Sequence, residues 1–137
     1  MMEGSDGGIA KTVLIVEDNE LNLKLFCDLL AAHGYRTEPV RDGRAVLERA
    51  RMIRPDLVVM DIQLPHISGL ALIEAIKRDP TLDTIPIMAV TAYAARGDEE
   101  RIRQAGVDSY IAKPVTVTRF LVSVRALIGD AVIAQPA

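Results

Sequence analysis

A chain of 137 residues, half of them hydrophobic, holds one ordinary domain with a real core and is too short for two. Its 16 basic and 19 acidic residues leave a net charge of -3 with no Lys/Arg block, which argues against nucleic-acid binding through bulk charge, and no stretch approaches the ~20 apolar residues of a membrane span. The first eleven residues lack the apolar centre of a signal peptide, so a cytoplasmic protein is expected, and a single cysteine, Cys27, excludes an internal disulfide and any multi-cysteine zinc site.

Residues 1–11, with three glycines, read as a flexible lead-in. The β-branched run Thr12-Val13-Leu14-Ile15-Val16 predicts a strand that stops at acidic residues, and Leu21, Leu25, Phe26, Leu29 and Leu30 predict a helix ended by Gly34. Tyr35 to Val40 makes a second, weaker strand. After Asp42-Gly43, Val46, Ala50 and Ile53 repeat at helical spacing up to Pro55. The apolar run Leu57-Val58-Val59-Met60 halts at Asp61, and a loop from Ile62 to Ser68 leads to a helix marked by Leu72, Ile73 and Ile76, which Asp79-Pro80 breaks. Pro86 to Thr91 is a fourth strand, Gly97 to Gln104 a short polar helix stopped by Gly106, and Asp108 to Ala112 the last strand. Val117, Phe120, Leu121, Val124, Leu127 and Ile128 trace a final amphipathic helix ending at Gly129. The domain is expected to span residues 12–128, followed by a flexible tail, 129–137, that includes Ala131-Val132-Ile133-Ala134.

Five strands thus alternate with five helices. The first, third and fourth strands are continuous apolar runs, the pattern of a parallel sheet covered by helices on both faces, so the expected fold is a doubly wound α/β sheet. In such sheets chemistry gathers at the carboxyl ends of the strands. Glu17 and Asp18 follow the first strand, Asp61 ends the third, Thr91 ends the fourth, and Lys113-Pro114 follow the fifth. Three carboxylates at one edge repel unless a cation sits among them, and oxygen-rich, histidine-free surroundings favour Mg2+. Lys113 can cover oxygens on Asp61 or on a phosphoryl group there, while the Thr91 hydroxyl can donate to another. Such a set suits phosphoryl transfer, which needs positioning and charge support more than covalent help.

Each residue also has a plainer reading. Asp18 or Asn19 can simply cap a helix, Asp61 can be a turn residue, Thr91 a strand end and Lys113-Pro114 a surface turn. Their joint placement at four strand ends is what these readings leave unexplained. His33, near a helix end, is expected to meet the carboxyl-terminal dipole, His66 to face solvent, and Cys27 to be a small hydrophobe on its helix.

Val13-Leu14-Ile15-Val16-Glu17-Asp18-Asn19, Met60-Asp61-Ile62-Gln63-Leu64-Pro65, Ser68-Gly69, Ala89-Val90-Thr91-Ala92 and Tyr110-Ile111-Ala112-Lys113-Pro114 together resemble the CheY-like response-regulator receiver domain. Val13 to Phe26 and Gly97 to Arg103 further resemble the DivK-type single-domain regulators of bacterial cell division and polarity. The resemblance implies a (βα)5 flavodoxin-like sheet with strand order 2-1-3-4-5. It implies that Asp61 is the phosphoacceptor, that Asp18 and Asp61 ligate Mg2+ (or Mn2+) with the Gln63 backbone carbonyl, and that Glu17 holds metal-bound water. Thr91 and Lys113 would bind phosphoryl oxygens, Lys113-Pro114 would be a cis peptide, and Thr91 with Tyr110 would form a switch. Two positions beyond Asp61 and Thr91, Gln63 and Tyr93 are expected to flank the path of hydrolytic water and tune the lifetime of the phosphorylated state.

The expected partners are a histidine kinase or histidine phosphotransfer protein, together with proteins that recognise the phosphorylated state on the face of the fourth helix, fifth strand and fifth helix. The chain would assist its own phosphoryl transfer and slow dephosphorylation rather than turn over a substrate. An aspartyl-phosphate phosphohydrolase would carry a second aspartate where this sequence has Gln63, and a flavin or nucleotide binder would want a glycine- or hydroxyl-rich loop where Glu17-Asp18-Asn19-Glu20 stands.

Overall fold

The computed structural model describes residues 8–92 and 96–134. A short strand β1 (Gly8–Ala10) precedes β2 (Thr12–Val16), α1 (Glu20–Ala32), β3 (Arg36–Val40) and a 3-10 turn at Gly43–Ala45 that runs into α2 (Val46–Ile53). Then come β4 (Leu57–Asp61), α3 (Gly69–Arg78), β5 (Ile87–Thr91), α4 (Arg96–Gln104), β6 (Ser109–Ala112), α5 (Val117–Ile128) and β7 (Val132–Ala134). Strands β2 to β6 form one parallel sheet in the order β3-β2-β4-β5-β6, which is the expected 2-1-3-4-5 order counted from Thr12. No helix among the described residues is long and apolar enough to cross a membrane.

Alternation along the central strands fills two cores at once. Leu14, Val16, Val58, Met60, Ile87 and Ala89 pack with Val46 and Ala50 of α2, Leu72, Ile73 and Ile76 of α3, and Ile102 of α4. On the other face Val13, Ile15, Leu57, Val59, Met88 and Val90 meet Leu23, Phe26 and Leu30 of α1 and Phe120 and Val124 of α5. Each such Val, Leu, Ile, Met or Phe side chain contributes roughly 1.5–3 kcal/mol by burial. The Phe26 and Phe120 rings stack with centroids 4.9 Å apart, which joins α1 to α5 beneath the sheet.

One expectation is corrected. Leu21 and Leu25, expected in the apolar stripe of α1, are 79% and 48% exposed, and Leu23, Phe26 and Leu30 carry the buried face. Those three keep the 3- and 4-residue spacing of one helix face, whereas Leu21 lies nearly opposite Leu23 around the axis. Residues 8–10 and 132–134 lie within the segments expected to be flexible. Gly8–Ala10 pairs antiparallel with Val132–Ala134, because the turn after α5 brings the tail back beside the entry to β2.

One glycine fixes how β4 leaves the sheet. Ser68 caps α3 by accepting the Ala71 N–H at 3.1 Å, and the Gly69 N–H donates to the Ile62 carbonyl at 3.0 Å. A Cβ at Gly69 would stand 2.3 Å from the Asp61 carbonyl oxygen and 2.7 Å from the Ile62 Cα, both rigid backbone. Gly69→Ala is therefore expected to destabilise the fold by ~2–3 kcal/mol, the cost of forced overpacking. Urea unfolding measures this, and a midpoint equal to wild type would show that the loop tolerates the methyl group.

Candidate functional site

The sheet reverses its order of growth at β2, whose neighbours are β3 and β4, and the crevice at that point opens at the strands' carboxyl ends. Glu17 and Asp18 leave β2 there, Asp61 is the last residue of β4, Thr91 the last of β5, and Lys113 follows β6 directly. Glu17, Asp61 and Thr91 are the buried polar side chains here, at 1%, 4% and 0% exposure. One carboxylate oxygen from each of Glu17, Asp18 and Asp61 lies within 4.8 Å of the others.

The Lys113 ammonium reaches into this group. Its Nζ donates to Glu17 Oε1 at 3.0 Å and to Asp61 Oδ2 at 3.4 Å, and the lysine side chain is only 20% exposed. The backbone holds the acids in place as well: the Gln63 N–H donates to Asp61 Oδ1 at 3.0 Å and the Asn19 N–H to Glu17 Oε2 at 3.2 Å. Lys113 is itself anchored by its N–H donating to the Thr91 carbonyl at 2.8 Å, and the Lys113–Pro114 peptide is cis. Asn19, not Asp18, caps α1, accepting the Asn22 N–H at 2.9 Å, so Asp18 is left to the cluster.

The charge balance of the site is incomplete. Burial, then a hydrogen bond shared with Glu17 and that group's negative charge, push the Asp61 carboxyl up to about 7, against the opposing pull of the Gln63 N–H and of Lys113. Burial lowers the affinity of Lys113 for its proton, but the hydrogen bond to Glu17 and the charges of Asp61 and Glu17 outweigh it and hold the ammonium above its ordinary value. One ammonium thus faces three acids. The donor set is all oxygen, with neither histidine nor cysteine in the cluster, which fits a hard divalent cation such as Mg2+.

Other residues singled out by sequence fall as follows. Gln63 has an exposed side chain, and Tyr93 lies outside the described residues. Tyr110 is half-buried on β6 opposite Ala89, on the same sheet face as Thr91 and one pleat away, with the Arg103 guanidinium 5.7 Å over its ring. His33 Nδ1 sits 3.0 Å from the Leu29 carbonyl at the end of α1, His66 is exposed, and Cys27 is partly buried. Sequence reasoning missed Arg41, whose Nη2 donates to the Asp18 carbonyl at 3.4 Å. It also missed a cleft of about 740 Å³ beside the acids, walled by Leu64, Pro65, Leu70, Arg101 and Ile102. Neither carries a motif, since each depends on how β3 and α4 pack around the crevice.

The raised Asp61 carboxyl has a consequence for stability. Between about pH 4 and pH 7 the folded, metal-free protein keeps a proton on Asp61 that the unfolded chain has released, so stability falls as pH rises through that window. In EDTA, melting temperature is expected to decline from pH 4.5 towards pH 7 by several degrees more in wild type than in Asp61→Asn. Parallel profiles for the two proteins would show that Asp61 does not hold its proton.

The family model described as the response regulator receiver domain matches residues 13–125. The chain is 54% identical over 121 residues to the polar-differentiation response regulator DivK of Brucella anthropi, covering 88% of this chain and 98% of that protein. It is 53% identical over 123 residues to DivK of Brucella ovis, covering 90% of this chain and 100% of that protein. Among solved structures, it resembles the receiver domain of the sensor histidine kinase PA1611 from Pseudomonas aeruginosa PAO1, which carries a magnesium ion in its active-site cleft. That likeness has 33% identity and a TM-score of 0.81, over 89% of this chain and all of the other. With strand-end acids, strand order and sequence in agreement over this span, the chain belongs to the response regulator receiver domain family.

Proposed function

We propose that Asp61 accepts a phosphoryl group from a phosphohistidine on a histidine kinase or histidine phosphotransfer protein, and that the phosphorylated chain signals by altered protein contacts. The observation that carries this reading is a nearly buried aspartate at the end of a central strand, bracketed by a lysine ammonium at 3.4 Å and by two further acids. In the transfer, an Asp61 carboxylate oxygen forms the new bond to phosphorus while the bond from phosphorus to the imidazole nitrogen breaks, its electron pair returning to the ring. Lys113 supports the growing negative charge on one phosphoryl oxygen, and the hydroxyl of Thr91 donates to another. Glu17, Asp18 and Asp61, with the Gln63 carbonyl, would hold Mg2+, or Mn2+ in its place, and the cation would supply further charge neutralisation. Gln63 and Tyr93 tune how fast water removes the group.

A 53–54% identity to polar-differentiation regulators supports a role in division and polarity control, and the proposed setting for it is the cytoplasm. Output runs through the face of α4, β6 and α5. Thr91 moves towards the new phosphoryl oxygens, and Tyr110, its neighbour on the same sheet face, takes up the space and reshapes that surface.

Incubation with phosphoramidate and Mg2+ is expected to raise the intact mass by one phosphoryl group. Asp61→Asn should abolish the gain, and Lys113→Ala should slow it by at least about tenfold. A gain that persists in Asp61→Asn would place the phosphoryl group elsewhere. For the output step, Tyr110→Ala should leave phosphorylation intact but shrink the difference in partner affinity between the two states. That difference is ordinarily about 5- to 150-fold, and calorimetry with the cognate kinase reads it. A full wild-type ratio in Tyr110→Ala would rule out the relay.

A further inference from the structure

At the end of the sheet opposite the acids, the first and last strands of the described residues meet. Gly8, Ile9 and Ala10 pair antiparallel with Ala134, Ile133 and Val132, outside residues 13–125 that the receiver model matches. The ladder continues inward, with the Lys11 N–H donating to the Ala131 carbonyl at 2.7 Å, and Ala131 is buried in the core shared by α1 and α5. Two side chains from other elements then take the carbonyls that the last turn of α5 leaves open. The Lys11 ammonium donates to the Ile128 carbonyl, and the Tyr35 hydroxyl donates to the Gly129 carbonyl at 2.7 Å. A lysine ammonium at this place also meets the negative end of the helix dipole. On its other side Lys11 is fixed to the main sheet, its carbonyl accepting the Arg36 N–H at 2.9 Å.

We infer that the paired ends form a clasp that ties the carboxyl-terminal half of α5 to the amino-terminal pole of the sheet. Where α5 takes part in output, an element that rests on the reading under Proposed function, the clasp confines phosphorylation-linked change to α4, β6 and the first half of α5. The clasp acts through backbone pairing and two caps on a helix end, so it holds α5 without touching the acidic site.

Register makes this testable. Because Lys11 and Ala131 exchange a ladder bond, the pair two residues further out, Ile9 and Ile133, is again a hydrogen-bonded pair. Such pairs have Cα atoms about 5.5 Å apart, within reach of a disulfide. Ile9→Cys with Ile133→Cys, in a Cys27→Ser background, is expected to close an intramolecular disulfide on mild oxidation and to keep wild-type hydrogen exchange in α5. Ile9→Pro, which removes a ladder donor, is expected to speed exchange of the Val124 to Ile128 amides by at least about tenfold while α2 and α3 stay unchanged. Failure of the disulfide to form, or unchanged α5 exchange in Ile9→Pro, would overturn the clasp. After phosphoramidate and Mg2+, exchange changes in wild type should stop before Val124 and should reach Ile128 only in Ile9→Pro; changes at Arg125 to Ile128 in wild type would overturn the confinement. A chain that gains no phosphoryl group would refute the phosphoacceptor reading, while exchange in the unmodified proteins still decides the clasp.

Discussion

Everything at this site depends on the contact between Lys113 and two buried acids. Glu17 and Asp61 end strands whose other residues are packed on both faces, so the sheet pushes their carboxylates into a place with little water. Uncompensated, two such charges would cost several kcal/mol each. One ammonium shared between them at 3.0 and 3.4 Å offsets part of this, and below about pH 7 a proton on Asp61 offsets a further part. The fold thus keeps a carboxyl group in a state of high affinity for positive charge, be it a proton, a cation or the lysine.

That constraint explains why the surrounding backbone is built tightly. Gly69 lets α3 start in contact with the Asp61 carbonyl, and the Gln63 and Asn19 N–H groups fix the two acids from the loops that follow them. The lysine is fixed by its own N–H bonded to Thr91, which ties the end of β5 to the cation after β6.

Much of this was legible in the sequence. Continuous apolar runs at Val13–Val16, Leu57–Met60 and Ile87–Val90 can be satisfied only by burial on both faces, and a parallel sheet so covered places its strand ends together. The burial of Leu23 in place of Leu21 and Leu25 was not legible, because a helix with five leucines offers more than one apolar stripe and only the packing of Phe26 on Phe120 selects one. The pairing of the chain ends was missed for a different reason. Three-residue strands lie below the length at which a pattern can be read, and their partners are more than a hundred residues apart.

The two poles of the sheet consequently differ in kind. At the carboxyl pole, polar groups are brought together against their mutual repulsion, and the balance can be changed by adding one charge. At the amino pole, the open carbonyls of α5 are met by Lys11 and Tyr35, and pairing of the chain ends completes the backbone bonds. Under the function proposed above, a displacement that begins beside Thr91 and Lys113 would meet the Thr116 cap and the Phe120 stack at the start of α5 first and the Lys11 and Tyr35 caps last, so it would fade towards Ile128. On that same proposal, the surface that would report the state of Asp61 is the one where α4, β6 and the first turns of α5 adjoin, around Arg103 and Tyr110.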